Sequence, residues 1–385
     1  MYKICMVTTV SITLKSFVLE LAKTLVQSGD FEVHFVCDND DEFAAALPDY
    51  IHYHPISMNR GISFGGFKAA WEMYKLFKRE KYDLVQYSTP NAACYASIAA
   101  KLAKIKVRLY CQWGIAYVGF QGVKRWIFKQ IEKMVCRNST MIEPDSFGNL
   151  KFSHQEKLYT ASKSHVIWNG SASGVSIDKF DVSKKEIWAK EIRDKYNIPL
   201  EARVFVFIGR ITRDKGVNEL FEASRNLMEK YDDAYLLLVG NIEKSDSINS
   251  QLYDWSQEEP RVIYAGYTNE VEKYIAASDV YILPSYREGF GTAVIEAEAM
   301  SVPVVVTDIP GPTDAMKKNV TGLVVKKANV SELCDAMETL YLSKELCSEL
   351  GSNALEFVTN GFEQRTLFEK IRNDRIDLMK QSVST

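Results

Sequence analysis

Short apolar runs alternate with longer amphipathic stretches along most of the 385-residue chain, and this alternation restricts the fold more than any other feature. Runs such as KICMVTTV, DLVQYST and VRLYCQW have the length and composition of strands. The stretches between them repeat apolar residues at helical spacing. Strands that alternate with helices predict a parallel sheet with helices on both faces. Because the apolar runs are continuous, we expect both faces of each strand to be buried.

The alternation is interrupted once, at residues 169–180, where NGSASGVSIDKF is small, polar and loop-like. It resumes with RVFVFIGR and continues through AYLLLVGN, DVYILPS and PVVVTD. We therefore expect two doubly wound α/β domains of similar size, joined near 170–180. Ligands of such sheets bind beyond the carboxyl ends of the strands, so two facing sheets predict a cleft between the domains.

Cysteine, histidine and charge content argue against several classes of protein. The seven cysteines contain no C-x-x-C pair, which argues against a disulfide framework or zinc site and favours a reducing, cytoplasmic compartment. The five histidines show no metal-ligand spacing, so we expect no metal site. The net charge of −3 argues against nucleic acid as a partner. No apolar run approaches the length of about 18 residues that a membrane span needs.

Positive charge is concentrated in the first half of the chain. Residues 1–180 carry 22 Lys and Arg against 16 Asp and Glu, whereas the remaining 205 residues carry 25 against 34. Within 101–137, basic residues alternate with aromatic ones, namely Lys101, Lys104, Lys106, Arg108, Tyr110, Trp113, Tyr117, Phe120, Lys124, Arg125, Trp126, Phe128, Lys129, Lys133 and Arg137. This pattern is typical of a surface that binds an anionic membrane, and equally of a solvated basic helix face.

The segment YILPSYREGFGTAVIEAEAM combines several features of a ligand site. Its buried strand is followed by a loop with Glu288, Gly289 and Gly291, and a helix is predicted over 292–300. The glycines allow a ligand to approach the backbone, and the helix start presents free N–H groups to an anion. Glu296 lies near the same end of that helix. Two carboxylates beside an anion site indicate that vicinal hydroxyl groups, as in a sugar, are bound there too.

A second ligand segment, VFVFIGRITRDKGVNEL, follows the first strand of the second domain. The strand ends at Gly209, and the cations Arg210 and Lys215 precede a predicted helix that begins at Gly216. Cations at the carboxyl end of a strand and next to a helix start suit a diphosphate. Both segments occupy equivalent strand ends of one predicted domain, so we expect them to form one site.

With these motifs the chain resembles the family 4 retaining glycosyltransferases of the GT-B fold over essentially its whole length. The motifs that carry the resemblance are Gly209-Arg210, Lys215-Gly216, the strand DVYILPS, and Glu288 and Glu296 with seven residues between them. The overall pattern is similar to that of bacterial capsule, O-antigen and lipid-linked oligosaccharide members.

The resemblance implies an architecture of two Rossmann-like domains that face each other across a cleft. Residues 1–172 would form the acceptor-binding domain and residues 173–362 the nucleotide-sugar-binding domain. The last helix, 363–385, would pack back on the first domain. The implied reaction is metal-independent transfer of a hexosyl group from a nucleoside diphosphate sugar, with UDP favoured, to a polyprenyl-diphosphate-linked or saccharide acceptor in surface polysaccharide synthesis.

The resemblance also implies roles for the matching positions. Arg210 and Lys215 would hold the donor diphosphate and replace a metal, so no cofactor is expected. Glu288 would act with them as the third catalytic residue, at the donor sugar, and Glu296 would bind the donor ribose. The remaining donor contacts would be Gly209, Gly289, Phe290, Gly291 and Thr292.

The acceptor half departs from the family pattern. The predicted loop at residues 10–16 has no Gly-Gly pair, and Trp113 stands where many members have a histidine. Ser16, Gln112 and Trp113 are the candidates for acceptor contacts. Two alternatives stay open, a non-catalytic GT-B subunit that partners an active transferase and a UDP-sugar 2-epimerase. The intact cations and acids argue against the first, and the lack of histidines in the donor loops argues against the second.

Overall fold

The structure is a computed structural model that describes residues 1–58, 65–243 and 248–383. The chain divides into two compact units. Unit 1 comprises residues 1–173 together with the chain from residue 365 onward, and unit 2 comprises residues 174–364. These bounds lie within two residues of the expected domain limits. Residues 384 and 385 of the expected last helix lie outside the described residues.

Unit 1 contains a six-stranded parallel sheet. Its strands are β1 (Tyr2–Val7), β2 (Phe31–Cys37), β3 (Ile51–Pro55), β4 (Leu84–Tyr87), β5 (Val107–Gln112) and β6 (Met141–Pro144). They lie in the order β3-β2-β1-β4-β5-β6, so the chain winds outward from β1 in both directions. Both faces are buried, as the continuous apolar runs predicted: Cys5 and Val85 belong to one core, and Ile4 and Leu84 to the other.

The helices of unit 1 before the crossover to unit 2 are α1 (Ser11–Thr13), α2 (Leu19–Gln27), α3 (Asp41–Ala46), α4 (Gly65–Glu80), α5 (Pro90–Leu102), α6 (Gly122–Asn138) and α7 (Phe147–Gln155). The expected loop at 10–16 is wrong, because one π-helical turn, Leu14–Val18, joins α1 to α2. Leu14 and Val18 are buried in the core, and the segment has no glycine that would interrupt a helix.

The register of β2 and β3 brings together histidines that show no metal-ligand spacing in the sequence. His34 is paired with His52, and Val36 with His54, in neighbouring parallel strands. The three rings therefore lie together although β2 and β3 are separate in sequence, and chain spacing alone could not reveal this.

Unit 2 contains a second six-stranded parallel sheet. Its strands are β7 (Arg203–Ile208), β8 (Ala234–Val239), β9 (Val262–Gly266), β10 (Val280–Leu283), β11 (Val304–Thr307) and β12 (Gly322–Val325). They lie in the order β12-β11-β10-β7-β8-β9. Because β7 and β10 are neighbours, the loops that follow them meet at the carboxyl edge of the sheet.

The helices of unit 2 are α8 (Lys185–Lys195), α9 (Val217–Met228), α10 (Ser250–Glu258), α11 (Val271–Ala276), α12 (Thr292–Ala299), α13 (Val330–Leu342) and α14 (Lys344–Gly361). The sequence pattern predicts a single helix over 330–358, but the structure has two helices there. Ser343 separates them, since its side chain accepts a hydrogen bond from the backbone N–H of Leu346 and caps the start of α14.

The last helix, α15 (Gln364–Val383), packs against unit 1. Leu367 and Ile371 join the core that contains Ile4. The guanidinium group of Arg375, only 1% exposed, donates hydrogen bonds to Glu143 at the end of β6 at 3.1 Å and to its neighbour Asp374 at 2.6 Å. A buried arginine with these partners fixes the position of the helix on the sheet.

Candidate active site

The carboxyl edge of the unit 2 sheet brings together the two ligand segments identified in the sequence. β7 leads through Gly209 into a 3₁₀ turn, Arg213–Lys215, which precedes α9. β10 leads through a loop into α12. Gly216 permits the close approach of these segments, because its φ is 74° and a Cβ atom there would lie 2.0 Å from the carbonyl oxygen of Pro284.

Lys215 and Glu288 form a mostly buried ion pair at this edge. Nζ of Lys215 donates to Oε1 of Glu288 at 2.6 Å, and the two side chains are 19% and 12% exposed. The hydroxyl of Ser285 donates to the same oxygen at 2.6 Å. The pair is thus held in one geometry by protein contacts, and removal of either charge would leave the other without its oppositely charged partner in a poorly hydrated position.

Arg210 lies at the same edge, with its guanidinium group turned towards acidic side chains. Nη1 donates to the two carboxylate oxygens of Glu243 at 3.0 and 2.9 Å, and Nη2 lies 3.7 Å from Asp214. The Arg210 and Glu243 side chains are 52% and 51% exposed. Exposed pairs contribute little stability, so Arg210 can exchange Glu243 for an anionic ligand at small cost. The sequence motifs did not identify Glu243 or Asp214 as partners of Arg210, although Asp214 stands between two of the predicted cations.

Glu296, on α12, is partly buried. Burial raises the pKa of Glu296 to about 7, an effect that Lys179 opposes and Glu272 reinforces. Tyr281, fully buried in β10, lies close enough to both acids that the charges of Glu288 and Glu296 add to burial in raising its pKa. The Tyr281 hydroxyl has no hydrogen-bond partner among the described residues. Tyr281 therefore lies near both acids. Its position within an apolar strand did not reveal this in the sequence.

The loop between β10 and α12 presents backbone at this edge. Gly291 precedes the helix with a φ of 89°, and α12 begins at Thr292. Phe290 is buried, and its ring packs against Phe362 with ring centroids 5.4 Å apart. Phe290 can therefore contribute to a ligand site only through its backbone. The predicted roles of these residues and of Gly209 and Gly289 in donor binding stay predictions.

Unit 1 places two of the acceptor candidates at the carboxyl edge of its own sheet. Ser16 is exposed on the π-helical turn, and Trp113 is partly buried directly after β5. They belong to segments in contact, because the rings of Phe17 and Trp113 have centroids 5.8 Å apart. Their contact with an acceptor stays a prediction.

Gln112, the third acceptor candidate, is fully buried. Its Nε2 donates to Glu132 at 2.6 Å, and its Oε1 accepts from Tyr159 at 2.8 Å and Ser153 at 3.1 Å. Burial raises the pKa of Glu132, which the hydrogen bonds from Gln112 and Tyr110 partly offset. This network occupies both ends of the Gln112 amide, which gives the residue a structural role in unit 1. Acceptor contact by Gln112 stays a prediction.

The basic segment 101–137 does not form one face, contrary to the sequence interpretation. Lys101 and Lys106 lie at the edge where the strands begin and bind Asn138 and the Ser382 carbonyl oxygen, respectively. Tyr110 and Tyr117 are buried. The reason is that α5 ends at one edge of the sheet, whereas β5 carries the chain across to the other edge before α6 begins.

The largest exposed apolar group of this segment is at the start of α6, and Leu102 and Val118 are exposed elsewhere in it. Val123, Trp126 and Ile127 are 73%, 64% and 40% exposed, and Lys124 lies beside them. The start of α4 also exposes Phe67 and Trp71. In the sequence, the signal for this exposed pair is two aromatic residues four positions apart, as on one face of a helix. Among the described residues, no helix has the length and apolar character needed to cross a bilayer.

Comparison with known proteins agrees with this architecture. A model described as "Glycosyl transferase 4-like" matches residues 3–146, and one described as "Glycosyl transferases group 1" matches residues 189–357. The capsular polysaccharide biosynthesis glycosyltransferase CapM of Staphylococcus aureus is 26% identical over 357 residues, which cover 92% of each chain. The UDP-Gal:alpha-D-GlcNAc-diphosphoundecaprenol alpha-1,3-galactosyltransferase of Escherichia coli is 24% identical over 365 residues, 92% of this chain and 91% of that protein.

Solved structures show the same fold. HepE of Anabaena, in complex with UDP and glucose, has a TM-score of 0.82 at 18% identity and covers 98% of this chain and 100% of its own. The sucrose-phosphate synthase of Thermosynechococcus elongatus has a TM-score of 0.80 at 18% identity, with 99% and 100% covered. The two family models, which match residues 3–146 and 189–357, show that the chain belongs to the family 4 glycosyltransferases, and the two parallel six-stranded sheets with these structural matches show the GT-B fold.

Proposed function

We propose that this glycosyltransferase transfers a hexosyl group from a UDP-sugar to a lipid-linked or saccharide acceptor in surface polysaccharide synthesis, with retention at the anomeric carbon and without a metal. The observation that carries the proposal is the Lys215–Glu288 pair beside Arg210 at the carboxyl edge of unit 2. The names of the relatives support the substrate classes, since one acts in capsule synthesis and another is named for UDP-Gal and a diphosphoundecaprenol-linked acceptor.

The two cations account for departure of the nucleotide. When the anomeric C–O bond breaks, negative charge develops on the diphosphate and positive charge on the sugar. Lys215 leaves Glu288 and Arg210 leaves Glu243 to bind the diphosphate oxygens, so both cations stabilise the leaving group in place of a metal. Glu288, freed from Lys215, then accepts hydrogen bonds from hydroxyl groups of the donor sugar.

Glu296 supplies the second contact to hydroxyl groups. Its carboxylate accepts from the two ribose hydroxyls, which a single ionised acid can bind together. Retention follows because the acceptor hydroxyl attacks the anomeric carbon from the same face of the sugar that the diphosphate leaves. An oxygen of the leaving phosphate accepts the proton of that hydroxyl. This last step rests on family membership, which also supports the absence of a covalent enzyme intermediate.

Substitution of Lys215 tests the donor site. Lys215→Ala is expected to lower kcat at least about a hundredfold, as loss of one charge-stabilising donor does in other enzymes. Lys273→Ala is the matched control, because Lys273 pairs with Glu191 and Glu270 elsewhere on unit 2. Thermal shifts with UDP, GDP, ADP and their sugars identify the donor beforehand. Wild-type turnover of Lys215→Ala would contradict the diphosphate role.

Chelation tests metal independence. Turnover measured with EDTA is expected to equal turnover measured with Mg²⁺ or Mn²⁺, because Lys215 and Arg210 supply the charge that a metal would supply. Strict dependence on an added divalent ion would show that the two cations are not sufficient.

We also propose that the exposed starts of α4 and α6 bind an anionic membrane surface. Trp71 and Trp126 are suited to the interfacial region, and Lys124 and Arg125 to anionic headgroups, each cation contributing about 1 kcal/mol. Lys129 is not included, because it pairs with Glu156 at 2.6 Å.

Vesicle sedimentation tests this surface. Lys124→Glu with Arg125→Glu should weaken binding to vesicles rich in phosphatidylglycerol at least about tenfold, since two attractive charges become repulsive. Lys104→Glu with Lys106→Glu, at the opposite edge of the sheet, makes the same charge change and should have little effect. Equal effects of the two pairs would show that only overall charge matters.

A further inference from the structure

The edge of the unit 1 sheet carries a cluster of histidines that the transferase site does not use. The rings of His34 and His52 have centroids 4.5 Å apart, and those of His34 and His54 are 5.1 Å apart. Glu32 lies on the same face of β2, two residues before His34. We call these four residues the histidine cluster. It lies entirely within unit 1, whereas the donor segments belong to unit 2.

Three members of the histidine cluster direct ligand atoms to one point. Oε1 of Glu32 lies 2.8 Å from Nε2 of His34 and 3.8 Å from Nε2 of His52. One ligand atom from each of the three residues lies within 4.8 Å of the other two. Donors bound tetrahedrally at about 2.1 Å from a zinc ion lie about 3.4 Å apart, so small side-chain movements bring all three into coordination distance.

The fourth member and a tyrosine fix the orientation of the central ring. Nδ1 of His34 lies 2.9 Å from Nε2 of His54 and 3.0 Å from the hydroxyl of Tyr82. When Nδ1 carries the proton it donates to one of these groups, and Nε2 keeps its lone pair towards Glu32 and His52. A ligating histidine usually has such an outer partner on its other nitrogen. His34 is only 3% exposed, so its ring has little freedom to turn away.

Lys3 already places a positive charge against the cluster. Its Nζ lies 3.0 Å from Oε1 of Glu32 and 3.3 Å from Oε2 of Glu80. A metal ion bound at Glu32 would replace this ammonium group, which would keep Glu80 as its partner. Lys3 is therefore expected to compete with a metal and to lower its affinity.

We propose that Glu32, His34 and His52 form a binding site for a divalent transition-metal ion, with zinc as the best match. Two imidazole nitrogens and one carboxylate oxygen are a donor set that zinc accepts, and water would occupy the fourth position beside the half-exposed His52. The ion joins the edge strand β3 to β2. The site is separate from the donor residues, so loss of the ion lowers stability and leaves the chemistry of transfer unchanged.

Titration of the untagged, full-length protein with Co²⁺ tests the proposal. One equivalent is expected to give the visible absorption of tetrahedral Co²⁺ with nitrogen and oxygen ligands, and Zn²⁺ should displace it. His52→Gln and Glu32→Gln should each weaken binding at least about a hundredfold, more than the loss of an outer partner costs. Lys3→Met should strengthen binding. His154→Gln, which removes a histidine elsewhere in unit 1, is the matched control.

Thermal unfolding gives an independent measurement. Excess Zn²⁺ should raise the Tm of the wild-type chain and of Lys3→Met, and should leave that of His52→Gln unchanged. His52 is half exposed, so its substitution should preserve the fold, and the far-ultraviolet circular dichroism spectrum checks this. The proposal is overturned if the protein takes up no Co²⁺, if thiolate charge-transfer bands show cysteine ligands, or if His52→Gln binds like the wild type. Turnover that needs Mn²⁺ would instead refute the metal-independent donor site and leave this proposal standing.

Discussion

Replacement of Glu296 by Gln is expected to stabilise unit 2 while it weakens donor binding. Burial raises the pKa of the Glu296 carboxyl from its ordinary value of 4.5 to about 7, so the folded protein disfavours the ionised form. At about 1.4 kcal/mol per pH unit, the difference between these two values corresponds to about 3 kcal/mol. Well above pH 7 the carboxyl group of Glu296 is ionised and destabilises the wild-type protein by this amount. The Gln variant has no ionisable group there, so it is not destabilised in this way.

The sign and the pH window follow from linkage. Because the pKa of Glu296 is raised in the folded protein, the contribution of this carboxyl group to the free energy of unfolding is fully present below about pH 4.5. This contribution is lost as pH rises through about 7. The advantage of Glu296→Gln should therefore be near zero at about pH 4.5, grow up to about pH 7, and stay level above it.

Urea denaturation at several pH values measures this advantage. Hydrogen exchange of peptides from β10 and β11 confirms that the transition followed is that of unit 2. UDP binding is measured in parallel, and loss of a charged acceptor for ribose hydroxyls should weaken it about tenfold or more. An advantage that does not change between about pH 5 and pH 8 would refute the raised pKa. Unchanged UDP affinity would refute the ribose contact.

Three further substitutions test contacts seen in the structure. Glu243→Gln should tighten UDP binding, measured by calorimetry, because it frees Arg210 from a competing carboxylate. Glu298→Gln should stabilise the protein increasingly as pH rises above 4.5, measured by urea denaturation at several pH values, since burial raises the pKa of Glu298 well above its ordinary value despite the opposing hydroxyl of Thr321. Arg375→Met should cost about 3–5 kcal/mol in urea denaturation by leaving Glu143 unpaired, and adding Glu143→Gln should recover part of this.

Most of the fold could be predicted from the sequence because parallel sheets leave a strong pattern. Runs such as VFVFI and YLLLV are short, apolar and rich in β-branched or aromatic residues, which is typical of buried strands, and helical spacing between them indicates the connections. Errors occurred where the pattern is local and weak. The break at Ser343 depends on one capping side chain, and the helical start after β1 depends on the burial of Leu14 and Val18.

The candidate site was predictable in part. Motifs identified Lys215 and Glu288, but their direct contact across 73 residues depends on the pairing of β7 with β10, which the order of strands in the chain does not reveal. Gln112 shows the converse. Its place at a strand end made it a candidate for acceptor contact, but its amide donates to the buried carboxyl group of Glu132 on α6. The histidine cluster depends likewise on strand register.

The charges at the carboxyl edge of unit 2 are largely compensated within the protein. Lys215 is paired with Glu288 and Arg210 with Glu243, and burial favours the neutral form of Glu296. At the proposed donor site, a diphosphate would therefore have to compete with two carboxylates for Lys215 and Arg210, which would limit the affinity for any simple anion. A nucleotide sugar would also bring hydroxyl groups, and in the proposed site these would be the partners of Glu296 and of Glu288 once Lys215 leaves it. Ligands that carry both a diphosphate and vicinal hydroxyls are thus favoured over phosphate alone, because only they provide partners for both sets of charges.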